Sequence, residues 1–95
     1  MGDRFVNAAG PKIRALRVKK GYASQQAFVL KLQLVGLDLD QQTLAAIELR
    51  QRSLKDYELK VIAQVLGVTM EQLFPEPREM KAHLPILQRG DKRGN

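Results

Sequence analysis

The chain has 95 residues, of which 44% are hydrophobic and 27% are charged, with no cysteine and a formal net charge of +6. This composition is typical of one small globular domain and excludes a disordered chain, a disulfide-stabilised domain and a cysteine-based metal site. No apolar run approaches the roughly 18 residues of a membrane span, and the N-terminus lacks a secretory apolar segment. We therefore expect a cytoplasmic protein that does not contact a membrane.

Five short helices are predicted in chain order, because apolar residues recur every three to four positions and no segment shows the two-residue alternation of a half-buried strand. Their ends are marked by capping and helix-stopping residues. The starts are Pro11, Ser24, Asp40, Ser53 or Asp56, and Thr69 paired with Gln72. The stops are Gly21, Gly36, Gly67, and Pro75 with Pro77. The apolar residues expected on the inward faces are Ile13, Ala15, Leu16, Phe28, Leu32, Val35, Leu44, Ile47, Leu59, Ile62, Ala63, Leu66, Met70, Leu73 and Phe74.

The positive charge is concentrated near the N-terminus. Residues 1–33 contain seven basic side chains and a single acidic one, Asp3. A basic region of this kind can face a polyanion such as nucleic acid. A solvated helix face explains the same charges equally well, so charge alone does not decide between the two interpretations.

The third predicted helix, residues 40–48, carries the most informative pattern. Leu44 and Ile47 are three apart and can share an inward face. The residues left facing outward or sideways are polar or small, namely Gln41, Gln42, Thr43, Ala45 and Ala46. Glutamine can pair with an adenine edge, and alanine can contact a thymine methyl group. This pattern suits insertion into a DNA major groove, and ordinary surface amides are the alternative interpretation.

Catalysis has no support in the sequence. His83 is the only histidine, and no serine, acid and histidine combine into a nucleophile relay. There is also no glycine-rich phosphate loop. We therefore predict neither an enzyme nor a bound metal or cofactor.

The C-terminal residues 76–95 form a basic tail that we expect to be partly flexible. An apolar cluster within it is interrupted by Pro85, and the last residues are polar and rich in glycine. The cluster consists of Met80, Leu84, Ile86 and Leu87. It can dock on the core or on a second subunit, but a loosely ordered tail is the favoured interpretation.

Four short motifs in a fixed order connect residues 11–74 with a known family. They are Ile13-Arg14-x-Leu16-Arg17, Gly21 before Ser24-Gln25, Thr43-Leu44-x-x-Ile47-Glu48, and Ile62-Ala63-x-x-Leu66-Gly67-Val68 ending in Leu73-Phe74. In this order the chain resembles the phage-repressor helix-turn-helix family of the lambda repressor and Cro type. The resemblance implies an all-α, five-helix DNA-binding domain over residues 10–75, preceded by an N-terminal arm (residues 1–9) and followed by the tail.

The resemblance also implies roles for individual residues. In that family the second and third helices form the DNA-binding pair, and the third lies in the major groove. Residues 40–48 would then be the recognition helix, and Gln25 would contact phosphate and brace it. The implied DNA-binding residues are Gln25, Gln41, Gln42, Thr43, Ala46, Arg50 and Arg52. Arg50 and Arg52 would clamp phosphates at the far edge, whereas Glu48 matches a structural glutamate.

Other residues depart from the family pattern or stand outside the expected interface. The connection Gly36 to Asp40 is about two residues longer than the usual turn, and Arg50 stands where the family commonly has a helix-ending glycine. Asp38 and Asp40 place negative charge near the expected phosphate surface. The first helix would lie behind the DNA-binding pair. We expect several of its basic side chains, Lys12, Arg14 and Arg17, to be solvated.

From these observations we expect a sequence-specific regulator of transcription that binds double-stranded DNA, acting as a repressor and as a homodimer on a palindromic site. The alternative is a protein-interaction module on the same scaffold, such as an antitoxin or an adaptor. The slightly acidic middle of the chain and the apolar cluster of the tail favour that alternative.

Overall fold

The computed structural model describes residues 5–94 of the chain, and these residues form helices without any β-strand. Five α-helices follow one another, with a single 3-10 helix (Glu71–Leu73) before the last. The α-helices are α1 (Gly10–Lys19), α2 (Gln25–Leu34), α3 (Gln41–Glu48), α4 (Asp56–Leu66) and α5 (Pro77–Gly94). The predicted all-α class is therefore confirmed. Within the described range, no helix has the length and apolar character needed to cross a membrane.

Several predicted helix ends are confirmed by their hydrogen bonds. The Ser24 side chain accepts from the backbone N–H of Ala27 at 3.1 Å, which satisfies one free donor of the first turn of α2. Thr69 and Gln72 form the predicted reciprocal pair, with backbone-to-side-chain distances of 2.8 and 3.2 Å. Gly67 ends α4 in the left-handed conformation, with φ of 71°, that glycine adopts without strain.

Two predicted elements differ from the structure. Neither Ser53 nor Asp56 caps the fourth helix. Lys55 is the N-cap, α4 begins at Asp56, and the Glu58 carboxylate accepts from the backbone N–H of Lys55 at 2.9 Å. The fifth predicted helix is only the 3-10 helix Glu71–Leu73, because Pro75 and Pro77 follow too closely for an α-helical ladder to form.

The core lies between α1, α2, α3, α4 and the 3-10 helix, which pack against one another. Its fully buried large side chains are Phe28, Ile13, Leu32, Leu44, Ile47, Ile62, Leu66 and Leu73, all of them predicted. Three expected residues are exposed instead, namely Ala15, Val35 and Met70. Val35 lies beyond the end of α2, and Val29 is buried in that helix. Leu16, Leu59 and Phe74 pack at the edge of the core.

The described part of the predicted N-terminal arm, residues 5–9, contacts the rest of the domain. The Asn7 amide donates to the carbonyl oxygens of Ile47 and Arg52 at 3.1 and 2.8 Å, and its oxygen accepts from the Gly10 N–H. Val6 also donates to the carbonyl of Arg50 at 2.9 Å. Residues 5–9 therefore hold the end of α3, whereas residues 1–4 of the predicted arm lie outside the described range.

The C-terminal segment forms a helix, although a loosely ordered tail was expected from the sequence. Pro85 lies inside α5 and does not end it. A proline removes one backbone donor and crowds one carbonyl, which costs about 3 kcal/mol, and its neighbours here are mostly good helix formers. None of the apolar side chains of α5 (Met80, Leu84, Ile86 and Leu87) belongs to the core cluster. The apolar residues of α5 thus lie outside the core and are partly or largely exposed.

Candidate nucleic-acid interface

The outward face of α3 consists of the polar and small residues predicted from the sequence. Leu44, Ile47 and Glu48 point into the protein and are buried. Gln41 and Gln42 are exposed, whereas Thr43, Ala45 and Ala46 are partly exposed. Since residues four apart share a helix face, Gln42 and Ala46 lie together on the side opposite the core. The short alanine side chains allow another surface to approach the helix backbone closely.

The N-terminus of α3 is fixed by its cap. The Asp40 carboxylate accepts from the backbone N–H of Thr43 at 2.8 Å, as the sequence pattern predicts. Hydrogen bonds from the backbone and then from the side chain of Thr43 hold the pKa of Asp40 below its usual value. The cap is therefore complete at neutral pH and is lost only as the pH falls through that lowered pKa. Asp38 and Asp40 are both exposed, but the Asp40 carboxylate is turned toward the end of α3.

The connection between α2 and α3 is long but well anchored. Residues 35–40 separate the two helices, and Leu37 and Leu39 within it are buried in the core cluster. The Leu37 N–H donates to the Leu32 carbonyl at 2.9 Å, and the Gln33 amide donates to the Leu39 carbonyl at 3.3 Å. The added length therefore forms a packed loop that sets the start of α3.

The C-terminal end of α3 is held by a buried ion pair that the sequence did not reveal. Arg17 of α1 is 4% exposed, not solvated, and its Nε lies 2.8 Å from the Glu48 carboxylate. Its Nη1 also donates to the carbonyl oxygens of Tyr22 and Ala23 at 2.6 and 2.9 Å. Breaking one side of such a buried pair costs about 3–5 kcal/mol, since the other charge remains without its partner.

Gln25 joins this network from the start of α2. Its amide donates to Glu48 Oε1 at 3.0 Å, so it braces α3 as the family resemblance implies. Glu48 is 6% exposed and serves as the structural residue that the resemblance implies. One carboxylate thus links α1, α2 and α3. Gln25 remains partly exposed, so the same side chain also borders the surface beside the N-terminus of α2.

Arg50 follows α3 in a conformation that suits glycine. Its φ is 65°, and it is the one residue other than glycine with a positive φ in residues 5–94. Its guanidinium carbon lies 3.8 Å from the centroid of the Phe5 ring, and its Nη1 lies 2.9 Å from Nδ1 of His83. Because both contacts are within the chain, they argue against the predicted phosphate clamp at this residue.

Arg52 is also engaged within the chain. Its Nη1 donates to Glu58 Oε1 at 2.7 Å and to the Ser53 carbonyl at 3.1 Å. Burial raises the pKa of the Glu58 carboxyl, but the hydrogen bonds from Arg52 and from the Lys55 N–H outweigh it and lower the pKa. The pair therefore stabilises the fold above the ordinary glutamate range and weakens as the pH falls through the lowered value.

Exposed basic residues surround the candidate interface unevenly. Arg17 is withdrawn from the surface by its ion pair, and Lys12 is partly buried. The exposed cations within residues 5–60 are Arg14, Lys19, Lys20, Lys31, Lys55 and Lys60. Lys19 and Lys20 end α1 just before the turn that leads to Gln25, so their charge lies near the start of α2.

Comparisons with known proteins leave the function open: no protein-family model matches the chain, and no curated protein and no solved structure is significantly similar to it.

Proposed function

We propose that the protein is a sequence-specific regulator of transcription, acting as a repressor, that binds double-stranded DNA through α3. The exposed face formed by Gln41, Gln42, Thr43 and Ala46 supplies the base contacts. This face carries the proposal because it combines amide groups, which can read an adenine edge, with side chains short enough for close approach to a groove. The resemblance to the phage-repressor family supports the same assignment.

The contacts at both ends of α3 favour a rigid recognition helix. Asp40 caps its first turn, and Glu48 ties its last turn to Arg17 and Gln25. A helix fixed at both ends presents its side chains in one orientation, and such preorganisation lowers the entropy lost on binding. Gln25 and the nearby Lys19 and Lys20 would contact phosphate, whereas Arg50 and Arg52 serve the fold.

We further propose that the protein binds as a homodimer through α5. Met80, Leu84 and Leu87 recur at the spacing of one helix face, and Leu84 is 41% exposed. A second α5 could cover these side chains and join two copies. Dimeric readers of this kind contact half-sites about 34 Å apart, because one short helix reads too few bases alone.

The first experiment is selection of bound sequences from a random DNA pool, followed by titration of the selected site and of random DNA. We expect Gln42→Ala to weaken the selected site by roughly 10- to 100-fold, the effect of losing one bidentate base contact. Its binding to random DNA should remain nearly unchanged, since phosphate contacts are retained.

The matched control is Gln64→Ala, which removes an exposed glutamine from α4 and should leave both titrations unchanged. If Gln42→Ala lost the same affinity for the selected site and for random DNA, Gln42 would only position the protein on DNA and would not read a base. Failure of the pool to yield any preferred sequence would contradict the proposed specificity as a whole.

A second candidate function is a protein-interaction module, an antitoxin or an adaptor. The observation that favours it is the outer face of α2, where Leu30 and Leu34 are 61% and 82% exposed. Exposed apolar side chains in a group mark interaction surfaces. A stoichiometric protein complex that requires Leu34 and leaves DNA unbound would support this function, whereas salt-dependent binding to one DNA site supports the first.

A further inference from the structure

Three segments that are distant in sequence meet at the Arg50 side chain. Its guanidinium covers the Phe5 ring on one side and contacts His83 of α5 through Nη1 and Nδ1, 2.9 Å apart. Of the hydrogen bonds between described residues, this is the one that joins α5 to the body formed by α1–α4. α5 contributes no side chain to the core cluster, so this contact is a polar link between α5 and the body outside the core.

The chemistry of the two side chains fixes the protonation state of His83 in this contact. A guanidinium can only donate hydrogen bonds, so Nδ1 of His83 must accept with its lone pair. The ring is then neutral, with its proton on Nε2. A protonated imidazole carries hydrogen on both nitrogens and offers no acceptor to Arg50. It would also place a second positive charge against the guanidinium.

The other charged groups near His83 act in opposite directions. Lys12 of α1 and Glu79 of α5 line the same cleft as Arg50 and His83. Glu79 lies one turn before His83 on the same helix, so its attraction for an imidazolium acts within α5. Lys12 and Arg50 belong to the body, so their repulsion acts between the body and α5. Protonation of His83 therefore weakens the attachment of α5 without disturbing its helical structure.

We propose that Arg50 and His83 form a proton-sensitive latch that holds α5 against the body at neutral pH and releases it on acidification. Release leaves the core intact, because Ile13, Phe28 and the other core residues lie in the preceding elements. The proposal concerns the position of α5 and does not depend on DNA binding.

The test uses the full chain with two introduced cysteines, which are unique because the chain contains none. Gln64→Cys on α4 and Gln88→Cys on α5 replace exposed residues and accept spin labels for distance measurement. The labelled chain is diluted into an excess of unlabelled chain, so that the distances within one copy dominate even in a dimer. At about pH 8 we expect one narrow distance distribution, and at about pH 5 a broader distribution shifted to longer distances. Far-ultraviolet circular dichroism should show the same helix content at both pH values.

The decisive comparison is His83→Gln in the same labelled chain. The glutamine amide oxygen can still accept from Arg50 but does not titrate, so this variant should keep the narrow distribution at both pH values. A distribution that does not change with pH in the unsubstituted chain would overturn the proposal. An identical shift in His83→Gln would overturn it as well, because the cause would then lie in another group.

Discussion

Arg50 shows how one residue can combine an unfavourable backbone with favourable side-chain contacts. Its φ of 65° lies in the left-handed region, where Cβ crowds the following carbonyl oxygen. This conformation costs a residue with a Cβ roughly 1–2 kcal/mol relative to glycine. The Phe5 ring and His83 supply contacts that only a long cationic side chain can make. The sequence pattern identified this residue as standing at a glycine position, but it could not show which partners compensate for the backbone strain.

Two substitutions separate these effects at Arg50. Arg50→Ala removes both contacts and keeps the strained Cβ, whereas Arg50→Gly removes the same contacts and relieves the strain. We therefore expect the glycine variant to be more stable than the alanine variant by about 1 kcal/mol. Urea unfolding followed by circular dichroism measures the difference. An alanine variant at least as stable as the glycine variant would mean that the backbone is not strained there.

Arg17 shows what a local pattern cannot reveal. Its position on α1 is compatible with a solvated surface, and the residue that pairs with it, Glu48, lies 31 positions later. The ion pair exists only because α1 and α3 pack together. By contrast, the Ser24 and Asp40 caps could be predicted, because each is completed within three residues of chain.

At the scale of elements, the contact between α1 and α3 depends on close approach of their backbones. A Cβ added at Gly10 would overlap the carbonyl oxygen of Ile47 and lie 3.0 Å from that of Glu48. We expect Gly10→Ala to destabilise the protein by about 2 kcal/mol, since the backbone must shift to make room. Thermal or urea unfolding tests this value.

Arg14→Ala, on the exposed side of α1, is the matched control and should stay within about 0.5 kcal/mol of the unsubstituted chain. Unchanged stability of Gly10→Ala would show that α1 can move away from α3 without cost. DNA titration of the same variant is informative under the proposed function, because a shift of α1 also displaces Arg17 and hence Glu48.

The helices that build the core were predictable, and the last helix was not. In α4, Ile62, Ala63 and Leu66 repeat at helical spacing and are buried as expected. In α5, the apolar residues have a similar spacing, but Pro85 interrupts the pattern. None of these residues is part of the core cluster. A helix that contributes no side chain to the core of its own domain leaves little evidence in a single sequence.

For the whole molecule, the exposed apolar face of α5 predicts self-association. We expect Leu84→Glu to raise the dissociation constant of the homodimer at least about tenfold, because it places a charge on the covered face. Sedimentation equilibrium over a range of concentrations measures this change. Ala82→Glu, which adds the same charge at an exposed position on the opposite face of α5, should leave the constant nearly unchanged. A monomer at every concentration in the unsubstituted chain would rule out the proposed dimer.

The attachment of α3 at both ends has a practical consequence for redesign. Leu44, Ile47 and Glu48 form the packed face, and the Thr43 side chain hydrogen-bonds the Asp40 cap, whereas the side chains at 41, 42, 45 and 46 are exposed or partly exposed. These four positions can therefore be randomised together while the inward residues, Asp40 and Thr43 are kept. A library of this kind would yield folded variants that differ in target preference, which makes the domain a scaffold for new DNA readers if the proposed function is correct.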